Sequence, residues 1–326
     1  MTLRLGLLST ADINRAILGG ARLTDAVEVV AVASRDRGRA EVYAAEHGLG
    51  RAHGTYEELL ADPDVDAVYV PLPNSMHVPW SVRALEAGKH VLAEKPLTRR
   101  PEEATAAFDA ADAAGRVLAE GFMWRHTEQA ERLRELLAAE AVGPLRVIRA
   151  NFSFDIFASG DRAGDVRMQA ALDGGSLMDV GCYCVSAMRL LGGEPLAVSG
   201  RQVIGGDGVD IRFAGTLALP GDVVGVFECG FDMVARHELE LIGTEGTIHV
   251  ADPWHSRAPR ILVRRAGGTE TIDIQPINPY QSELEDFAAA VSGERPHPFG
   301  REDAVGQARA IAALYAAAAS GADVAP

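Results

Sequence analysis

The feature that most constrains this chain is the rhythm of its first 122 residues. Short apolar runs recur there, each followed by a stretch with helical patterning. "LRLGLL" leads into "ADINRAILGGARL", and "VEVVAVA" into "DRGRAEVYAAEHG". After a short helix around "TYEELLAD" come "VDAVYVPLP" and a helix through "SVRALEAG". "KHVLAEKP" supplies a fourth strand, "PEEATAAFDAADAAG" a helix and "RVLAEGF" a fifth strand. Parallel βαβ units require this pattern, because crossover helices cover both faces of the sheet and leave its strands apolar throughout. From residue 123 the rhythm changes. "HTEQAERLRELLAAEAVG" reads as one long helix. "LRVIRANFSFD", "VDIRFAGTLAL", "DVVGVFECGFD", "HELELIGTEGTIHVA" and "RILVRRAGGTETIDI" read as strands of an antiparallel or mixed sheet, with "GTEGT" as a turn. Helices near "QSELEDFAAAVSG" and "REDAVGQARAIAALYAAAA" close the chain, and the last can pack back on the first domain.

The expected fold class is α/β: a dinucleotide-binding domain over residues 1–122, then an α/β domain with an open, largely antiparallel sheet over 123–326. Several function classes are disfavoured at once. The formal net charge is −15, which argues against nucleic acid as a partner while leaving room for a local basic pocket. Cys182, Cys184 and Cys229 match no zinc spacing with any histidine, so they read as core thiols and no metal site is expected. A reduced, cytoplasmic compartment fits them. The opening "MTLRLGLLST" lacks the apolar run of a signal peptide, and no later window has membrane-spanning length without charge.

"GLLSTADI", residues 6–13, follows the first strand. A dinucleotide fold needs a tight turn here, close backbone approach to a pyrophosphate and a helix N-terminus facing it. Gly6 can serve the turn. Ser9 and Ala11 stand where the usual fingerprint has its second and third glycines, and the Ser9 and Thr10 hydroxyls can add phosphate contacts. Asp12 and Ile13 complete the approach to the helix. Taken alone, the stretch also fits a plain strand-to-helix turn with a Ser or Thr cap. At the end of the second strand, "AVASRDRGR" places Ser34 and Arg35 at the tip and Asp36 one place later. A hydroxyl beside a guanidinium suits a 2′-phosphate, which favours NADP over NAD. Arg35 can also stack on adenine, or belong with Arg39 to a solvated helix start.

"HVLAEKPL" ends its strand in Glu94, Lys95 and Pro96, at the carboxyl edge where open parallel sheets hold ligands. Pro96 fixes the backbone after the lysine. Glu94 can pair with Lys95 or position a cofactor ribose. "VPLPNSMH" is a stiff loop in which Pro71, Leu72, Asn74 and His77 are expected to face the same crevice, although His77 also fits a plain helix start. A second cluster lies in "LDGGSLMDVGCYCVSAMRLLGG". Asp179 and Tyr183 are four apart and share a face if the region is helical, while Gly174 and Gly175 allow close backbone approach. A carboxylate and a phenol opposite a lysine make a proton-transfer set for a carbinol or ketone. A helix-start aspartate and a core tyrosine fit the same spacing.

These stretches, with "EGFMWR", resemble the glucose–fructose oxidoreductase, inositol dehydrogenase and rhizopine-catabolism (Gfo/Idh/MocA) family over nearly the whole chain. "EKP" at the close of a strand is the most specific element. The resemblance implies a Rossmann domain, an open-faced second domain that assembles into dimers or tetramers, and NAD(P)-dependent oxidation or reduction of sugars, cyclitols and related alcohols. It places the family lysine on Lys95, a substrate-orienting carboxylate on Asp179, and Tyr183 where many members carry histidine. "MWR" and the tyrosine resemble the branch with NADP-dependent D-xylose dehydrogenases and dimeric dihydrodiol dehydrogenases. In that branch aromatics line the substrate pocket, so Trp124, Arg125 and Phe154 become candidates. The expectation is an aldose 1-dehydrogenase. Rivals are a keto-sugar reductase on an activated sugar, a trans-dihydrodiol dehydrogenase and a non-catalytic cofactor-binding regulator. Arg125, Arg162 and Arg167 are the residues that a sugar diphosphate would need.

Overall fold

A computed structural model describes residues 2–158, 160, 162, 164–257 and 260–326. In chain order the elements are β1 Leu3–Leu7, α1 Asn14–Ala21, β2 Val27–Ala33, α2 Arg37–His47, β3 Arg51–His53, α3 Tyr56–Leu60, β4 Ala67–Val70, α4 His77–Glu86, β5 His90–Glu94, α5 Pro101–Ala114 and β6 Leu118–Gly121. They continue with α6 Glu128–Ala138, β7 Leu145–Asp155, α7 Cys182–Gly192, β8 Ala197–Ile204, β9 Asp210–Leu219, β10 Val223–Gly230, β11 Asp232–Gly243, β12 Gly246–Val250, β13 Arg260–Arg265, β14 Gly268–Asp273, α8 Pro279–Ser292 and α9 Arg301–Ser320. The chain divides into two units: residues through Met123 with Asn278–Val305, and Trp124–Ile277 with Gly306–Pro326.

In the first unit six strands lie in the order β3-β2-β1-β4-β5-β6, every pairing parallel. This is the doubly wound dinucleotide-binding order, with the switch point at β1 and β4. The central strands are apolar on both faces, as helices above and below demand. Leu5, Leu7, Val68, Tyr69, Leu92 and Ala93 are all fully buried. Caps set the helix starts: the Asp36 side chain accepts from Arg39 N–H for α2, and Thr55 from Glu58 N–H for α3. Pro101 opens α5, where its missing N–H costs nothing.

The sequence expectation differs from this unit in two ways. The three-residue edge strand β3 has too little apolar pattern to stand out, so the strand carrying Glu94 is the fifth, not the fourth. Residues 278–305 also belong here, although the linear reading assigned all of 123–326 to the second domain. The reason is burial: Leu284 and Phe287 of α8 sit fully buried in one core with Leu3, Leu5, Val27 and Tyr69. Gly20 of α1 lets the helices meet, because a Cβ there would lie 2.8 Å from the backbone at Tyr280 and Gln281.

The second unit is built on eight strands in the order β14-β13-β12-β11-β7-β10-β9-β8. Only β7 and β10 pair in parallel; the rest are antiparallel. The alternation is clean on β9, where Phe213, Leu217 and Leu219 point inward and Ala214, Thr216 and Ala218 outward. Helix α7 covers β7 and β10, while Val224 and Val226 stay exposed. Strand β8 escaped the sequence reading because "AVSGRQVI" is half polar. "RILVRRAGGTETIDI" is a hairpin of two strands, and the long helix stops at Ala138, short of Gly143 with φ +70°. The three cysteines are buried free thiols, as expected. Among the described residues no helix is long and apolar enough to cross a membrane.

Candidate active site

The first unit gathers its candidate residues at the carboxyl ends of β1, β2, β4 and β5. After β1, Ser9 Oγ accepts from Ala11 N–H at 3.2 Å, and the buried Asn14 side chain donates to Ser9 O at 2.7 Å. No side chain caps α1 and its first turn carries no acid, so the helix start stays open to an anion. Gly6 departs from expectation. It lies inside β1 rather than in the turn, and its missing Cβ makes room for Leu59 and Val65, which would stand 2.9 and 3.1 Å from one.

At the β2 tip, Ser34 is buried and its Oγ accepts from Asp36 N–H at 3.2 Å, while Arg35 is exposed. Asp36 spends its carboxylate on the α2 cap, accepting from Arg39 N–H at 3.1 Å. Arg37 pairs with Glu58 at 2.6 Å. Arg35 and Arg39 are both exposed at this end of the sheet, and Arg35 lies by the Tyr56 hydroxyl.

Pro71, Leu72 and Asn74 form the loop after β4, where Pro71 O accepts from Ser9 Oγ and Leu72 O faces His77. His77 does not open toward a crevice as expected. It is 1% exposed, with Nδ1 2.9 Å from Pro96 O and Nε2 2.7 Å from Leu72 O. Burial, helped by the charge of Lys95, holds its pKa down at about 4 against the opposite pull of the two carbonyls. The ring is therefore neutral near pH 7 and donates to one carbonyl at a time; it braces the turn after Lys95. The Lys95–Pro96 peptide bond is cis. Leu97 N–H donates to the buried Glu120 carboxylate at 2.7 Å, which fixes the other side of that turn. Glu94 accepts from the Tyr69 hydroxyl, a partner the sequence reading did not foresee. Burial and the Glu94 charge push the Tyr69 pKa up.

In the second unit the helix carrying Asp179 and Tyr183 is anchored by Asp210. That buried carboxylate accepts from Ser176 Oγ, Leu177 N–H and Tyr315 OH at 2.7–2.8 Å. Burial raises its pKa. Gly175, at φ +124°, passes so close that a Cβ would lie 2.2 Å from Asp210 Oδ1, and one on Gly174 would lie 2.3 Å from Arg167 O. Asp179 lies in a π turn, Leu177–Gly181, that runs directly into α7, where Tyr183 sits. Asp179 faces Arg167 at 3.9 Å.

Tyr183 sits among rings: Phe152 at 5.3 Å between centroids and Trp254 at 5.8 Å. Trp254 stacks on Phe152 and meets the buried Trp124 edge-on at 5.6 Å. Trp254 Nε1–H is fixed on Asn151 O at 3.0 Å. The sequence reading missed Phe152 and Trp254. Phe152 lies on the same face of β7 as the named Phe154, two residues away, and a tryptophan inside the polar turn "ADPWHS" was a signal of burial. Phe154 itself lies against Phe231 and under the Arg167 guanidinium. Arg167 is held by Asp165 through two bonds of 3.0 and 2.7 Å, Arg162 donates to Ile156 O, and Arg125 is buried.

A parallel sheet with an open helix start at its switch point, and a lysine at a strand end, define a dinucleotide-dependent oxidoreductase. Family models agree in both parts: residues 11–122 match the oxidoreductase family with an NAD-binding Rossmann fold, and residues 130–249 the Gfo/Idh/MocA C-terminal domain. The chain belongs to the Gfo/Idh/MocA family of NAD(P)-dependent oxidoreductases. It is 39% identical to a D-xylose 1-dehydrogenase (NADP+) of Haloferax volcanii over 98% of each chain. With trans-1,2-dihydrobenzene-1,2-diol dehydrogenase of Sus scrofa it shares 35% identity over 78% of this chain and 75% of that one. A solved 3-ketoreductase from Actinomadura kijaniata, in complex with NADP and TDP-benzene, superposes with a TM-score of 0.90 at 31% identity, covering 97% of this chain and 98% of that one.

Proposed function

We propose that the chain is an NADP-dependent sugar dehydrogenase that oxidises a free aldose, such as D-xylose or D-glucose, at its anomeric carbon. The observation that carries the substrate class is the aromatic setting of Tyr183. Phe152, Trp124 and Trp254 are buried and hold the Tyr183 ring in place, and the uncharged hydroxyls of a sugar suit hydrogen bonding to Tyr183 and Asp179. A sugar diphosphate needs free guanidinium groups. Arg167 is committed to Asp165, Arg162 donates to a backbone carbonyl, and Arg125 is buried. The 39% identity to a D-xylose 1-dehydrogenase supports the same reading.

The residues fit NADP. The uncapped start of α1 with Ser9, Thr10 and Ala11 would hold the pyrophosphate, and Ser34 with Arg35 the 2′-phosphate, since Asp36 is engaged elsewhere. Bound NADP supplies hydride acceptance and return at nicotinamide C4. In oxidation Tyr183 takes the substrate hydroxyl proton, and in reduction it gives the proton back. Lys95 polarises the substrate oxygen. Asp179 orients the sugar hydroxyls. The reading includes a homo-dimer or homo-tetramer formed through the open sheet face that exposes Val224 and Val226.

The test is initial rate with D-xylose, D-glucose, a trans-dihydrodiol and a dTDP-linked keto sugar, each with both cofactor forms, for native protein, Lys95→Ala and Tyr183→Phe. Turnover of an aldose with NADP, lost in both variants, is expected. Turnover confined to the dTDP-linked substrate would overturn the aldose reading. Cofactor binding without turnover on any substrate would favour a regulator.

A further inference from the structure

Linear spacing shows no metal pattern in this chain, yet the second unit brings two histidines and a carboxylate together. His237 lies on β11, opposite Phe152 of β7. On its other side, β11 pairs with β12 in a register that sets Leu239 against Val250. Carrying that register two residues past Val250 brings Asp252 opposite His237. The turn that follows folds His255 back: its backbone N–H donates to Asp252 Oδ1 at 3.3 Å, and its Nδ1 lies 3.2 Å from the same oxygen. One ligand atom from each of His237, Asp252 and His255 falls within 4.8 Å of the other two.

We propose that His237, Asp252 and His255 bind a divalent transition-metal ion of the zinc class, with a remaining coordination position open to an exogenous oxygen ligand. His237 Nδ1 is buried and has no hydrogen-bond partner among the described residues, although an unpartnered buried polar atom is costly. The two imidazole rings meet edge-on, centroids 5.3 Å apart, so their like-charged forms would repel while neutral rings can share one cation. Two nitrogens and one carboxylate oxygen exclude magnesium and calcium as the preferred ions, since these take oxygen sets. Zinc bonds to such ligands are about 2.0–2.2 Å, so the three atoms must close in by about an ångström. Each of the three side chains is part-exposed and can turn. The backbone donors on Asp252 fix the carboxylate without exhausting its lone pairs, in the way outer-shell bonds orient metal ligands. Phe152 touches both histidine rings, at 4.8 and 5.6 Å, as well as Tyr183, so the ion would lie one ring away from the phenol.

The test does not depend on the proposed reaction. The full chain, stripped with a chelator, is titrated with Co2+, followed by its d–d absorption, and with Zn2+ by calorimetry. One equivalent of each is expected, Zn2+ displacing Co2+. His237→Ala and His255→Ala should each weaken binding by more than the roughly 10- to 100-fold that losing an outer-shell partner costs. Asp252→Asn should weaken it less, and His249→Ala, outside the cluster, should leave it unchanged. The melting temperature of each metal-free variant reports folding, and His255→Gln in the turn serves should His237→Ala fail to fold. Absence of stoichiometric Co2+ uptake overturns the proposal, and so does uptake that folded variants at His237 or His255 leave unaltered.

Discussion

The two units arrange their candidate residues in opposite ways. In the first, polar side chains near the strand ends are spent on the protein's own frame. Asp36 holds α2, His77 braces two carbonyls, Glu120 holds Leu97 N–H, and Tyr69 donates to Glu94. What this frame presents is backbone, a helix start and Arg35. In the second unit the candidate tyrosine is held in a buried set of rings, Trp124, Phe152, Tyr183 and Trp254, with Trp254 Nε1–H fixed on Asn151 O. On the proposed reading, the difference follows from what each would hold. A cofactor that never changes is best met by rigid, preorganised backbone. Apolar area discriminates weakly per group, so a ring-lined surface can be retuned for new substrates by small changes. Relatives that act on D-xylose and on a dihydrodiol share this fold.

The largest expected effect tests the ring-lined half. Tyr183→Phe keeps the ring against Phe152 and Trp254 and removes only the hydroxyl. The turnover number should fall by about 10^2- to 10^4-fold, the span of a lost acid–base group, with NADP affinity and melting temperature unchanged. A variant with native turnover would move the proton transfer away from the second unit and break the contrast.

The framed half should answer to pH through His77. Its folded pKa of about 4 lies below the ordinary value of 6.5, so the unfolded chain binds the proton more readily. Stability is therefore complete above about pH 6.5 and is lost as pH falls toward 4, by up to about 3 kcal/mol for a shift of about 2.5 units. Urea unfolding across that range should show the slope in native protein and lose that component in His77→Asn, which starts less stable. An equal slope in both would mean that His77 is not held neutral.

How legible these halves were in sequence follows from the same contrast. The parallel unit could be read because its strands are apolar on both faces and its helices intervene at regular intervals. Its exceptions were local: β3 is three residues long, and α8 joins that core through Leu284 and Phe287 far along the chain. Lys95 and the Ser34–Arg35 tip could be put forward as candidates because strand ends carry ligands in such sheets. Roles that depend on a partner were not. Nothing in "VPLPNSMH" says that His77 turns inward to Pro96, and nothing in "SLMDVGCYC" announces the π turn that opens α7. Trp254 and the His237–Asp252–His255 cluster depend on strand register, which a single sequence does not display.

A smaller effect sharpens the cofactor side. Arg35→Ala removes a charge-assisted contact worth about 1.5–3 kcal/mol, so the KM for NADP should rise about 10- to 100-fold while that for NAD stays put. Equal losses with both cofactors would indicate that Arg35 stacks on adenine.

The smallest effect is the most discriminating for the frame. Asp36 is the carboxylate that a ribose-reading site would use, yet its Oδ1 accepts from Arg39 N–H at 3.1 Å and caps α2. Asp36→Ala should therefore cost about 1 kcal/mol of stability, the ordinary value of a lost cap, and Asp36→Asn very little because asparagine caps equally well. Neither should change the ratio of NADP to NAD efficiency. If Asp36→Asn instead selectively raised the KM for NAD, the carboxylate would be reading a ribose hydroxyl. The first unit would then offer a side chain, as well as backbone, to its ligand.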